Sequence, residues 1–287
     1  MKSYFSLIKF AHTVFALPFA FLSFFLGMKM TNQPLDWNLI SLMLACMIFA
    51  RSAAMAFNRY VDRKIDAQNI RTRVREIPSG VISPGSALWF VIAMSGAFIF
   101  TTYWINPIVF FLSPVALLVV LGYSYTKRFT WLCHFVLGLG LGLAPVGAYL
   151  AVTGHFSLLP VLYGVMVMLW VSGFDILYAL QDEIFDREHQ LYSIPAEFGQ
   201  QKAKNLAITL HMLCAGLLLC ITYYQAQLLP TFGWLHWVGA IGFMGLLFWQ
   251  HRLVKLYDLA KINQAFFETN GVASVLFGLS VIVDVLI

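Results

Sequence analysis

Apolar blocks about twenty residues long recur through the whole chain, at roughly 8–28, 38–57, 86–104, 107–123, 131–151, 157–180, 204–225, 232–250 and 266–287. Each is near the length an α-helix needs to cross a hydrocarbon core of roughly 30 Å. The pattern predicts an all-α, multispanning membrane bundle of about nine transmembrane helices around a central cavity. Breaks between the blocks carry the expected residues: Asn106-Pro107, Gly154-His155, and Pro230 ahead of the eighth block. The first block follows MKSYFSLIKF and has the flavour of a signal peptide, but it continues to about Met28 without a small-residue cleavage site, so it is read as the first membrane helix. No stretch is left over for a separate soluble domain. Residues 1–287 are therefore expected to form one integral-membrane domain, and an internal duplication of a four-helix unit, followed by a final helix, would account for its organisation.

Composition agrees. The 287 residues are 60% hydrophobic and only 11% charged, against roughly a quarter charged in soluble proteins. The formal net charge of +5 would suit nucleic acid if it were clustered, but the basic residues sit in short connections between apolar blocks, so no nucleic-acid partner is expected and the lipid bilayer is. With an internal N-terminus, the inner connections take sixteen of the eighteen Lys and Arg, among them Lys2, Lys9, Arg73, Lys202 and Lys255, while the outer side takes Lys29 and the second helix takes Arg51. This asymmetry predicts that the charged loops face the cytoplasm of a bacterial inner membrane. Cys46, Cys133, Cys214 and Cys220 lack metal-ligand spacing and are read as small core residues. The seven His, from His12 to His251, show no paired spacing, which argues against a His-based metal site.

The chemistry concentrates from Arg51 to Gly80, RSAAMAFNRYVDRKIDAQNIRTRVREIPSG. Asn58, Asp62 and Asp66 recur every four residues and so fall within roughly an 80° arc of a helix. Arg71, Arg73 and Arg75 follow on a short loop closed by Pro78 and Gly80. Mg2+ is usually held by one or two carboxylates and by phosphate oxygens, and Arg offers a planar fork matched to phosphate; the simpler alternative is a set of solvated charges at a helix end. In GFDILYALQDEIFDREHQ, Asp175, Asp182 and Asp186 would lie within about 40° of one another on a continuous helix, a second acidic stripe. Asp175 should sit a turn or two inside the membrane, where an ionised carboxylate needs a partner. Tyr123 and Lys127 form a YxxxK pair at the inner end of the fourth helix; taken alone, an interfacial Tyr beside a snorkelling Lys accounts for them.

With NxxxDxxxD at Asn58, Asp62 and Asp66, a later DxxxD at Asp182 and Asp186, and YxxxK at Tyr123 and Lys127, the chain resembles the UbiA superfamily of intramembrane aromatic prenyltransferases over essentially its whole length. DRKIDAQNIRTR and GFDILYALQD look most like the 4-hydroxybenzoate polyprenyltransferase branch, which includes relatives serving menaquinone-type pathways. One departure is Arg75-Glu76-Ile77-Pro78-Ser79-Gly80, where the family often has Arg-Pro before this ending. The resemblance implies a polyprenyl diphosphate held head-first between two Mg2+-binding motifs formed by Asn58, Asp62, Asp66, Asp182 and Asp186. Arg71, Arg75, Tyr123 and Lys127 would serve the diphosphate, Tyr178 would stabilise an allylic cation, and Asp175 would act on the acceptor phenol. Arg51, taken to lie one helical face away, is a candidate for the carboxylate of a hydroxybenzoate or, equally, an internal partner for one of the acidic residues. A proton- or cation-coupled transporter is the rival class; against it, the charges gather at one face beside the Arg residues.

Overall fold

The computed structural model describes residue 7 and residues 15–229, 233–256 and 258–287. The start of the first apolar block, Lys2, Lys9, His12 and Pro230 lie outside these. The described residues form helices α1 (Leu17–Thr31), α2 (Trp37–Asp66), α3 (Pro84–Tyr103), α4 (Pro107–Thr126), α5 (Cys133–Thr153), α6 (Leu158–Ala179), α7 (Glu183–Glu188), α8 (Ile194–Phe198), α9 (Gln200–Leu228), α10 (Leu235–Leu253) and α11 (Asn270–Leu286). A 3-10 turn at Leu180–Asp182 joins α6 to α7, and a π-helical turn at Gln264–Thr269 leads into α11. Among the described residues there is no β-strand beyond one isolated bridge. Seven helical stretches among the described residues are long and apolar enough to cross a membrane. The first and eighth expected windows hold α1, with 15 described residues, and α10, with 19.

Local chemistry explains the boundaries. The Asp36 side chain accepts from the backbone of Asn38 and Leu39 and so starts α2. Ser83 caps α3, with Pro84 in its first turn. α5 stops at Gly154, whose φ of 69° is costly for a residue with a Cβ.

The chain divides into two compact units: Met1–Thr13 with Asp36–Thr126, and Val14–Leu35 with Lys127–Ile287. In the first, α2 packs on α3 and α4, and Leu7, Ala56, Ile77, Ile82, Ala87 and Val91 are buried together. In the second, α6 packs on α5 and α9, and α1 packs on α5 and α11. The α5–α6 approach is close: a Cβ at Gly142 would lie 2.5 Å from the Gly164 carbonyl oxygen, and one at Gly164 2.7 Å from that of Gly142. An aromatic cluster of Phe19, Tyr163, Trp170, Phe243 and Phe277 fills this unit's core. Two pairs of polar side chains buried among the apolar helices bond one another across helices, as an apolar surround favours: Trp170 donates to Asn270 Oδ1 at 3.1 Å and Tyr163 to Gln225 Oε1. Large apolar side chains such as Trp89, Phe111 and Leu118 are exposed on helices that cross the membrane, where lipid takes the place of a protein partner.

Candidate active site

The thirty residues of α2 span about 45 Å, more than a bilayer core of roughly 30 Å, so the helix carries its polar end beyond the apolar layer. On that end Asn58 donates to Asp62 Oδ2 at 3.1 Å, which orients the carboxylate. Asp66 is buried, and Arg75 bonds both of its oxygens, at 2.7 and 2.8 Å. The turns that bring Arg75 back are pinned by Thr72 Oγ1, which donates to the Asp66 carbonyl at 3.1 Å, and by Ile77, which enters the core beside Ala56. The departure from Arg-Pro at Glu76-Ile77 is thus a packing position. Arg71 is exposed on the same turns. Arg59 is buried to 4% exposure, while Arg63 stacks on Tyr60 at 4.3 Å and bonds its carbonyl.

Arg51 corrects one expectation. Because α2 is continuous from Trp37 to Asp66, the seven-residue step from Arg51 to Asn58 turns through about 700°, which leaves the two within roughly 20° of each other. Arg51 therefore belongs to the stripe itself, about 10 Å deeper along the helix. Its Nε is buried and makes no hydrogen bond.

The second acidic stripe is also rearranged. The α-helix holding Asp175 ends at Ala179, and the 3-10 turn Leu180–Asp182 intervenes before Asp186 on α7. A 3-10 turn advances about 120° per residue instead of 100°, so the three carboxylates do not keep the narrow arc of a continuous helix. Each has its own setting. Asp175 meets His134 Nδ1 at 2.7 Å. Asp182, half-buried, ends the 3-10 turn. Asp186 is fully buried, with Lys127 Nζ 2.6 Å from its Oδ1 and Ser193 Oγ donating to its Oδ2 at 3.0 Å. The Lys127 contact is an ion pair rather than an aligned hydrogen bond. Lys127 is therefore no snorkelling lysine: burial pulls its ammonium down, but the Asp186 carboxylate, aided by Asp182, outweighs burial and holds it above the ordinary lysine range. Tyr178 lies against Phe266 of the π turn, ring centroids 4.1 Å apart, with Phe267 edge-on at 6.1 Å. Tyr123 is half-buried on the last turn of α4.

Sequence reasoning passed over His134, His236 and Asp284. Asp284 Oδ2 accepts from both the backbone and Nδ1 of His236, each at 2.7 Å, at the start of α10. Both residues are buried. Cys220 is exposed, whereas the other three cysteines are buried as expected.

The UbiA prenyltransferase family profile matches residues 16–272. The chain belongs to this family. As a UbiA prenyltransferase it is an integral membrane transferase. It is 29% identical over 243 residues to a 4-hydroxybenzoate octaprenyltransferase of Aliivibrio salmonicida, covering 84% of this chain and 83% of that one. It is 30% identical over 240 residues to the enzyme of the same name from Nitrosomonas eutropha, covering 84% and 82%. The apo structure of a UbiA homologue from Aeropyrum pernix superposes with a TM-score of 0.82 at 30% identity, over 95% of this chain and 98% of that one. A UbiA homologue from Archaeoglobus fulgidus, solved bound to GPP and Mg2+, shares the fold at a TM-score of 0.72 and 17% identity, over 98% and 99% of the two chains.

Whether the carboxylates of this UbiA member suit a divalent cation follows from their donors. Among the described residues no three His, Cys, Asp or Glu side chains converge, so there is no all-protein cage of the kind structural metals use. Mg2+ shared with a phosphate needs only one or two carboxylates. Asp62 with Asp66, and Asp182 with Asp186, offer hard oxygen donors, and Asp66 and Asp186 already sit against cations. The residues fit the ion in that mode.

Proposed function

We propose that the enzyme transfers a polyprenyl group from a polyprenyl diphosphate to 4-hydroxybenzoate or a related hydroxylated aromatic acid, in an Mg2+-dependent step of quinone biosynthesis. The observation that carries the acceptor class is Arg51: a guanidinium on a membrane-crossing helix, aligned with the acidic stripe, with a buried Nε that bonds nothing. A buried charged donor without a partner is costly, and an aromatic carboxylate supplies the matching acceptor fork. The names of the relatives from Aliivibrio salmonicida and Nitrosomonas eutropha support the same class.

Asp62, oriented by Asn58, together with Asp66, and Asp182 together with Asp186, are the residues that would hold Mg2+. When bound, the ion draws charge from the diphosphate and lowers the cost of breaking its allylic C–O bond. The electron pair of that bond leaves with the diphosphate, and Arg71, Arg75 and Lys127, with Tyr123 nearby in sequence, offer fixed donors to the charge that develops. Tyr178, packed against Phe266, would offer ring density that favours a cation at the allylic carbon. Exclusion of water protects that carbon from capture as a prenol. A ring carbon of the acceptor then forms the new C–C bond, and Asp175 orients the phenol and takes up the proton lost as aromaticity returns. The products are the prenylated acid and free diphosphate. The Lys and Arg distribution supports placing this chemistry at the cytoplasmic face of a bacterial inner membrane.

The test is to incubate purified protein with Mg2+, a panel of prenyl diphosphates and several aromatic acids, and to read lipid products by mass spectrometry. Prenylated hydroxybenzoate formed only with the ion supports the proposal. Transfer to an acceptor lacking a carboxylate, with hydroxybenzoate inert, would instead favour a UbiA-type prenyltransferase with a different acceptor.

A further inference from the structure

His134 is buried to 3% exposure at the start of α5, and its ring is bonded on both sides. Nδ1 lies 2.7 Å from Asp175 Oδ2, and Nε2 lies 3.3 Å from the backbone nitrogen of Ile194. A backbone N–H has only a proton to give, so Nε2 must present its lone pair. The ring proton is therefore on Nδ1, and the hydrogen bond runs from His134 to the carboxylate. Asp175 Oδ2 is thereby engaged. Its Oδ1 makes no hydrogen bond among the described residues and belongs to a side chain that is 22% exposed. On α6, Ser172 Oγ donates to the Met168 carbonyl of its own helix at 2.7 Å and also lies 3.2 Å from the His134 carbonyl, so the first turn of α5 sits close against the helix that carries Asp175.

Ile194 owes its position to a short strap. Tyr192 N–H donates to the Lys127 carbonyl at 2.8 Å, Ser193 Oγ donates to Asp186 Oδ2 at 3.0 Å, and Ser193 caps α8 by accepting from Ala196 N–H at 3.3 Å. Three successive residues thus hold Lys127, Asp186 and the His134–Asp175 pair in turn.

We propose that His134 is a positioning residue for the transfer reaction. It occupies one oxygen of Asp175 so that the other is the one presented to the acceptor phenol, and the 192–194 strap selects the histidine tautomer that can do so. This rests on the reading of Asp175 as the group that acts on the acceptor.

The experiment combines kinetics with ring-15N histidine NMR of the full chain in bilayers. The His134 signal, assigned by its loss in His134→Asn, should show a protonated Nδ1 and an unprotonated Nε2, and should move in Asp175→Asn. His134→Leu should lower kcat at least about tenfold while the KM for the prenyl diphosphate stays within about twofold. His134→Asn, whose amide nitrogen can replace Nδ1–H, should recover much of that loss, and His134→Leu/Asp175→Asn should be no slower than Asp175→Asn alone. The proposal is overturned if the Nε2–H tautomer is found, if Asn and Leu are equally slow, or if the double variant is far slower than Asp175→Asn. Should Asp175→Asn itself transfer at the full rate, the reading of Asp175 fails and takes the role of His134 with it. A silent His134→Leu beside an impaired Asp175→Asn overturns the positioning role alone.

Discussion

Replacing Lys127 by Met should destabilise the protein more than replacing Lys127 and Asp186 together. In the native chain Asp186 is fully buried and Lys127 lies 2.6 Å away with 35% of its side chain exposed. Removing one member of a fully buried pair costs about 3–5 kcal/mol, because the survivor is left as an uncompensated buried charge. Exposure of the lysine screens part of this, and Ser193 still donates to the carboxylate, so about 2 kcal/mol is expected for Lys127→Met. For a chain of 287 residues that corresponds to a fall in unfolding midpoint of about 5 °C. Lys127→Met/Asp186→Asn should regain most of the loss, because the uncompensated charge is gone, yet remain inactive. The assay is tryptophan-fluorescence melting in detergent with EDTA, so that no divalent ion substitutes for the lysine. A Lys127→Met protein that melts with the native one, or a double variant that melts no higher than the single, would refute the argument.

Asp62→Asn and Asp182→Asn should each weaken Mg2+-dependent binding of the prenyl diphosphate, since neutral amides are poorer ligands for a hard cation, and EDTA should abolish turnover; undiminished transfer in metal-free buffer would contradict both. Arg51→Ala should raise the acceptor KM by about 10- to 100-fold, the equivalent of a lost charge-assisted pair, with diphosphate binding nearly unchanged by calorimetry. Gly142→Ala sets a methyl 2.5 Å from the Gly164 carbonyl oxygen and should cost about 1–3 kcal/mol in melting experiments, whereas Gly147→Ala, with nothing within 4 Å of the new methyl, should not. In a Cys220→Ser background, cysteines placed at Arg73, Lys202 and Lys255 should label from one side of the membrane and one at Asn32 from the other; mixed labelling of the first three would break the proposed topology.

The stripe on α2 was legible because it depends only on spacing along one helix: Asn58 and Asp62 are four apart, and their hydrogen bond is local. Arg51 reads as lying a face away because the apolar block ends near position 57, whereas the helix runs on unbroken to Asp66 and carries Arg51 on the same stripe. At Asp175 to Asp186 the arithmetic assumed one helical period, which the 3-10 turn at Leu180–Asp182 breaks. The pairs that complete the site were out of reach for a different reason. His134 meets Asp175 across 41 residues and Lys127 meets Asp186 across a still longer stretch of chain, and only the packing of separate helices decides such partners. His236 and Asp284, 48 residues apart, were hidden in the same way.

The order in which the chain is made gives the division into two units a further consequence. Leu17–Thr31 is synthesised before Asp36–Thr126, yet its packing partners are Cys133–Thr153 and Asn270–Leu286. Gly27 lies against Val152, and Pro18 lies against Gly278. While Asp36–Thr126 emerges and gathers into its own unit, neither of those two partners has been made, and the face of α1 toward α11 stays open until Asn270–Leu286 has been synthesised. Domains that close early during synthesis shield their apolar faces as they form; this helix is instead left to lipid or the insertion machinery until α11 arrives.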